Sequence, residues 1–440
     1  MSTVTETQPG IPSSDQIVLE RTQIKSWKAP IALGVFALLA IVLFVFLPRQ
    51  GDSSFRFADP GDFFAIPLLT VPTQATSVIC AILCVLLAVG AYFYIASGRK
   101  VPIWYAIVFA LVFMFGFLTW AAAGHTVPFT GLLLGSVSLS VPLVFGALGG
   151  VISERAGVVN VAIEGQLLAG AFVSAFIASV AQHVWHLPVV AALIIGMLSA
   201  MIAGVLVSFV LAAFAIKYLV EQVIVGVVLN VLVTGLTSFL FSTVLSNDIP
   251  VLNNPPRFER LPIPLLSEIP VIGPVLFKQT IIVYLMYIAV FLVWFGLFKT
   301  RWGLRVRAVG EHPKAADTVG INVNGTRFWN VSLAGAVAGL GGAYFTLASV
   351  GAFGKEMTNG AGFIALAAVI FGRWDPIRAT LAALLFGFAS YLQTTLGIIG
   401  APVPSEFMLM LPYVVTIFAV AGLVGISRAP AADGKPYIKS

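Results

Sequence analysis

Apolar residues in this chain gather into runs about as long as a lipid bilayer is thick. They fall at about 30–47, 75–96, 102–123, 129–152, 160–181, 188–216, 222–245, 280–298, 328–350, 361–371, 377–396 and 407–426. A helix needs about 20 apolar residues to cross ~30 Å of hydrocarbon. The pattern therefore predicts an all-α polytopic transmembrane bundle of about twelve helices. The run at 361–371 is short, and reads either as a span lengthened by Met357 to Gly360 or as a re-entrant segment buried in protein.

Composition removes the other classes. Of 440 residues, 59% are hydrophobic and 10% charged, against roughly 25% charged in a soluble domain. The mean hydropathy is +1.01. A soluble enzyme, a disordered chain and a secreted disulfide scaffold are excluded. Cys80 and Cys84 lie four apart in one run, a poor disulfide geometry, and read as packing residues. Residues 1–28 are polar, and no small-residue cleavage site follows the first run, so no cleavable signal is expected.

Charge orients the bundle. With the N-terminus inside and each run crossing once, 18 of the 24 Lys and Arg residues fall in inner loops. The outer loops hold Arg49, Arg56, Arg257, Arg260, Lys278 and Lys355. This is the positive-inside pattern, with both termini cytoplasmic. The net charge of +6 then reflects these loops and implies no nucleic-acid partner. The outer loop 246–279, rich in proline, is either an ordered cap or a rigid connector.

Enzymatic signatures are missing. No Gly-x-x-x-x-Gly-Lys-Ser/Thr cradle occurs. His183 and His186, without a nearby carboxylate or thiolate, make a poor metal site, and no cofactor or metal is expected. Three features stand out instead. In the first, Asn160 and Glu164 are spaced to share a helix face near the membrane boundary. Glu164 is the acidic residue that falls well inside a predicted span. It either lines or braces a pathway, or pairs with backbone donors and fixes packing. Asn230, in the seventh run, meets substrate or another helix. The second feature is the inner loop 299–327, which holds a quarter of the basic residues. Pro313 suits a first helical turn and Gly320 an end. The short helix between them, bearing Ala315 and Ala316 and preceded by Glu311, could plug into a cytoplasmic partner. The third is the ninth run, where Ser332, Gly335, Gly339 and Gly342 permit close helix packing.

Together these residues carry a resemblance. Glu154-Arg-Ala-Gly-Val-Val-Asn-Val-Ala-Ile-Glu-Gly165 resembles the opening motif of permease subunits of nucleoside-type ATP-binding cassette (ABC) importers, relatives of the simple-sugar and branched-chain amino-acid permeases. Arg307-Ala-Val-Gly-Glu-His-Pro-Lys-Ala-Ala-Asp-Thr-Val-Gly-Ile-Asn-Val323 resembles that family's ATPase-coupling segment. Gly362-Phe-Ile-Ala-Leu-Ala-Ala-Val-Ile-Phe-Gly-Arg-Trp-Asp-Pro376 resembles its late short helix and turn. The resemblance covers about residues 127–427. It divides the chain into a cytoplasmic tail (1–28), three accessory helices (29–125), a nine-helix permease core (126–427) and a second cytoplasmic tail (428–440). It implies a multi-pass subunit of the bacterial plasma membrane that has no ATPase site of its own. Its implied partners are a cytoplasmic ABC ATPase, a second, paralogous permease and an extracellular substrate-binding lipoprotein. The implied solute is small and neutral, most simply a nucleoside. A simple sugar or a branched-chain amino acid, or a secondary active transporter, are the alternatives.

Overall fold

The computed structural model describes residues 27–58, 64, 66–400, 410 and 428–439. Its helices are α1 (Lys28–Ile41, prolonged by a π turn, Val42–Phe46), α2 (Thr73–Ala96), α3 (Ile103–Ala121), α4 (Phe129–Arg155), α5 (Ile163–His183) and α6 (Val189–Ala212, prolonged by a π turn, Ala213–Lys217). Then come α7 (Gln222–Thr243), α8 (Ile249–Leu252), α9 (Ile272–Leu276), α10 (Ile281–Lys299), α11 (Arg301–Glu311), α12 (Pro313–Thr318), α13 (Val323–Tyr344, prolonged by a π turn, Phe345–Ser349), α14 (Ala361–Phe371) and α15 (Pro376–Ile398). Ten of these are long and apolar enough to cross a membrane. Their bounds follow the hydropathic runs closely. The expected span at 407–426 and the N-terminal tail lie outside the described residues, apart from Met410, Trp27 and Lys28.

Helices α4, α5 and α13 form the centre, with α6, α14 and α15 around them. Glycine makes this possible. Along α13, a Cβ on Gly335, Gly339 or Gly342 would collide with backbone carbonyls of Gly204, Ala200 and Leu167. Gly170 of α5 meets Gly339 in the same way. Helices α5, α6 and α13 therefore touch backbone to backbone, the contact small residues allow between helices in lipid. Ser332 plays a different part, donating its hydroxyl to Phe328 O within its own helix.

Helices α1 to α3 form a second apolar cluster that reaches the core through Leu132 of α4 and Leu392 and Leu396 of α15. Short strands, which hydropathy does not predict, tie the two together at the end opposite α11 and α12. Strand β1 (Asp52–Arg56) pairs antiparallel with β2 (Leu69–Pro72) and parallel with β3 (Thr126–Pro128). The proline-rich loop is an ordered cap. It carries α8, α9 and the hairpin of β4 (Arg260–Pro262) with β5 (Lys278–Thr280). Phe258 N donates to Leu347 O at 2.8 Å, and Asn253 pairs with the backbone of Phe353 through both its side-chain atoms.

Candidate functional site

The sequence spacing expects a helix from about residue 160. The helix α5 instead begins at Ile163: α4 closes with the bonds of Ala156 and Gly157 to Ser153 O and Glu154 O, and residues 158–160 climb into the bundle outside helical structure. The Ile163 side chain packs against Gly146 and Gly150 of α4. At ~1.5 Å per residue, that is about 8–14 Å above the end of α4 at Arg155. Non-helical backbone at such depth must be satisfied by protein groups. It is. Ser153 Oγ donates to Val158 O, and Val159 N donates to Gln222 Oε1, both at 2.7 Å. Asn230 accepts from Gly165 N and donates to Val161 O, both at 2.8 Å. Asn160 and Gln166 exchange amide hydrogen bonds, and Gln166 continues to Ser208 Oγ at 2.9 Å. Gly157, with φ +88°, supplies the turn at the foot of the segment. The side chains that hold the backbone outside a helix are thus the reason the spacing misleads.

Glu164 reaches a second interrupted crossing. Residues 350–360 run from beside the proline-rich cap through bends and turns, and α14 starts at the depth of Glu164. Its carboxylate accepts from Thr358 Oγ1 (2.6 Å), Gly360 N (2.9 Å) and Gly362 N (2.6 Å). These are the free donors at the N-terminus of α14, where negative charge is also favoured by the helix dipole. Gly360 is left-handed at φ +81°, and a Cβ on Gly362 would collide with the Glu164 backbone. At the other end of α14, Glu154 accepts from Trp374 Nε1, while Arg155 Nε donates to Trp374 O at 2.9 Å and Arg155 Nη2 to Arg373 O at 3.4 Å. One twelve-residue stretch, Glu154 to Gly165, therefore grips both ends of an 11-residue half-helix about 17 Å long. The short run at 361–371 is a half-helix entered through the turns of residues 355–360.

Asn160, Glu164 and Asn230 thus lie close together but do not converge on one point. All three are at least nine-tenths buried, and each is engaged by the protein itself. Gln166, Gln222, Ser208 and Thr358 complete the network, and sequence reasoning did not find them. Their signal is faint: lone polar residues scattered among apolar ones, with partners up to 194 residues away.

The basic end of the bundle carries α11 and α12. Pro313 opens α12, and Gly320 follows it at φ +84°. Glu311 accepts from Ala431 N at 3.1 Å. Ala315 is exposed. Ala316 is not: it packs inward with Val309, Val323 and Tyr437. Neighbouring positions in so short a helix point about 100° apart, so of the two alanines expected in the coupling contact only Ala315 is exposed. Val319, 75% exposed, joins Ala315 and Lys314 on the free face.

The C-terminal residues 428–439 also differ from a solvated tail. Pro430, Ala432 and Tyr437 are buried against the basic end. Burial lifts the Asp433 carboxyl from 3.8 to about 7, against the pull of a Gly434 backbone hydrogen bond and the Arg327 guanidinium. Glu154 of α4 and Arg327 of α13 are the charged groups facing it. Docking the tail therefore takes up a proton. Its hold is full below the ordinary aspartate value, is lost as pH rises through about 7, and is constant above that. Exchange protection of the Ala432 amide, bonded to Gly310 O, should fall between about pH 4 and 7 in the wild type and stay level in Asp433→Asn.

The family described as "Branched-chain amino acid transport system / permease component" matches residues 132–420. The guanosine ABC transporter permease protein NupQ of Bacillus subtilis (strain 168) is 42% identical over 306 residues, 68% of this chain and 93% of its own. The nucleoside ABC transporter permease protein NupC of Lactococcus lactis subsp. cremoris (strain MG1363) is 41% identical over 309 residues, 68% of this chain and 94% of its own. A putative glucose ABC transporter permease protein of Haloferax volcanii, TsgC13, is 36% identical over 267 residues, 60% and 77% of the two chains. No solved structure matches.

Proposed function

This chain belongs to the branched-chain amino acid transport system permease family, and we propose that it is the membrane-spanning subunit of an ABC importer for a neutral nucleoside. The observation that carries the solute is the 41–42% identity, over nearly their full lengths, to permeases named for guanosine and nucleosides. The spans add support. Their deep carboxylate, Glu164, spends its oxygens on Thr358 Oγ1, Gly360 N and Gly362 N, so it is turned to the protein and not offered to a cationic solute. In this reading Asn160, Glu164 and Asn230 brace the pathway wall by holding residues 156–162 and α14 in place. Residues 132–420, or about 126–427, form the core; α1 to α3 are accessory.

A cytoplasmic ATPase, a second permease and an external binding lipoprotein complete the importer. The ATPase engages α12 through Lys314, Ala315 and Val319, with Glu311, Pro313, Ala316 and Gly320 fixing the shape of that contact. The partner biases inward- and outward-facing states only through different affinity for them.

The test is uptake of radiolabelled nucleosides, glucose, leucine and lysine into proteoliposomes holding the whole complex. ATP-dependent nucleoside uptake is expected. Glucose or leucine transport without nucleoside, or uptake that needs no ATPase, would replace this reading. Within that assay, Ala315→Arg and Val319→Asp should each cut uptake about tenfold, the equivalent of ~1.4 kcal/mol of lost contact, with normal membrane levels. Ala316→Arg should instead lower the amount of folded protein, because its site is filled by the chain's own Val309, Val323 and Tyr437.

A further inference from the structure

Chain termini are ordinarily the loosest part of a domain unless something ties them down. Here the last described residues are tied to five elements at once. Ala432 N donates to Gly310 O at 2.9 Å, and Ala431 N donates to Glu311 Oε2 at 3.1 Å, so the tail runs along the end of α11. Arg327 of α13, 2% exposed, donates Nη1 to Lys435 O at 2.9 Å and Nη2 to Ala432 O at 3.4 Å. A Cβ on Gly157 would meet that same Nη2 at 2.7 Å and Ala432 O at 3.2 Å, so the tail and Arg327 rest directly on the turn that begins the 156–162 segment. Gly434 reaches Val159 in that segment. Tyr437, 7% exposed, fills the space between Val309, Ala316 and Val323, with Asp317 of α12 beside its hydroxyl. Asp433 turns toward Glu154 and Arg327.

The arrangement has a mechanical sense. The helix α12 is six residues long, too short to hold its shape or direction by its own hydrogen bonds. What lies beneath it must set its orientation. Beneath Ala316 is Tyr437, and beyond Tyr437 the tail leads to Arg327 and Gly157. Through residues 158–165 that turn leads on to Asn230, Glu164 and the N-terminus of α14.

We propose that residues 428–439 are a clasp that positions α12 against the Gly157 turn, with Arg327 and Tyr437 as positioning residues, so that movement of α12 is delivered to the 156–165 segment and α14. This rests on the reading of α12 as the ATPase contact. Without the clasp α12 still meets its partner but yields under load, and hydrolysis proceeds without transport. A large buried contact carries such a load well, because packed side chains repack between discrete arrangements and do not deform freely.

The test uses the full complex in proteoliposomes and reads nucleoside moved per ATP hydrolysed. Four chains are compared with wild type: one ending at Ser427, Tyr437→Ser, Tyr437→Phe and Arg327→Lys. The truncated chain and Tyr437→Ser should keep ATP hydrolysis and lose at least about tenfold in the ratio. Tyr437→Phe, which keeps the buried ring, should restore most of it. Arg327→Lys, which cannot hold two carbonyls with one planar fork, should fall between. A wild-type ratio in the truncated chain overturns the clasp; if that chain is lost from the membrane, a wild-type ratio in Tyr437→Ser does so. A second readout is independent of the solute. Exchange protection of the Ala316 and Gly320 amides, bonded to His312 O and Asp317 O, should drop in Tyr437→Ser and recover in Tyr437→Phe. Unchanged protection in Tyr437→Ser also overturns it. A wild-type complex that moves no nucleoside would defeat the transport reading, while the protection measurement would still decide the clasp.

Discussion

Glu164→Ala should abolish transport and lower the thermal unfolding midpoint. The carboxylate accepts three hydrogen bonds from Thr358 Oγ1, Gly360 N and Gly362 N, in a site where Glu164 itself is 8% exposed. Alanine leaves those donors facing a void inside the bundle. Each unsatisfied buried group costs about 1–3 kcal/mol, so the N-terminus of α14 loses at least about 3 kcal/mol of support. If only that much biases α14 away from its working position, uptake drops by more than about a hundredfold at 1.4 kcal/mol per decade. Glu164→Gln should be milder but still harmful: the amide keeps one acceptor oxygen and turns an NH2 toward a backbone donor. Initial uptake rates and unfolding midpoints in detergent check both. An alanine variant with wild-type uptake would remove Glu164 from the working parts of the protein.

Gly339→Leu should empty the membrane of folded protein. At this position α13 lies against α6 so closely that a single added Cβ would strike the Ala200 carbonyl and come within 3.2 Å of Gly204 Cα. On the other side, Gly170 of α5 already approaches Gly339 backbone to backbone. Nothing there is the end of a flexible side chain that can swing aside. Overpacking a well-filled core costs typically 1–3 kcal/mol and more when backbone must move; here three central helices must part together. Gly235→Leu is the control. It lies in the apolar α7, on an exposed face with nothing within 4 Å of its would-be Cβ, and its yield should match wild type. Both are read as the monodisperse fraction extracted from membranes. Equal yields for the two variants would mean that the α5–α6–α13 contact is not what holds the core.

The two glycines show where sequence reading works and where it stops. Both sit in long apolar helices, and hydropathy treats them alike. Regular spacing marked Gly335, Gly339 and Gly342 as packing positions, because three- and four-residue intervals keep to one helix face. It did not say which helix would meet them. Ser332 fits the same spacing yet bonds only to its own helix. Asn160 and Glu164 fit a helix face too, and the helix starts too late to make one. Ala315 and Ala316 read as equivalent, and only the second is covered, by a tail from the far end of the chain.

Sequence alone determined the membrane class, the positions of the ten described apolar spans, and the short helix opened by Pro313 and closed before Gly320; for 361–371 it left a lengthened span and a re-entrant segment open. These follow from local rules: apolar length against bilayer thickness, proline and glycine at helix ends, basic residues on one side. Tertiary structure decided that Glu164 caps α14, that Glu154 and Arg155 hold its other end, that Gln222 and Asn230 carry the backbone of 156–165, and that residues 428–439 fold under α12. The physical reason is one of range. Helical hydrogen bonds close within four residues and leave their mark in nearby sequence. A backbone that leaves the helix inside a membrane must find its partners in other segments, and those pairings are fixed only when the bundle closes.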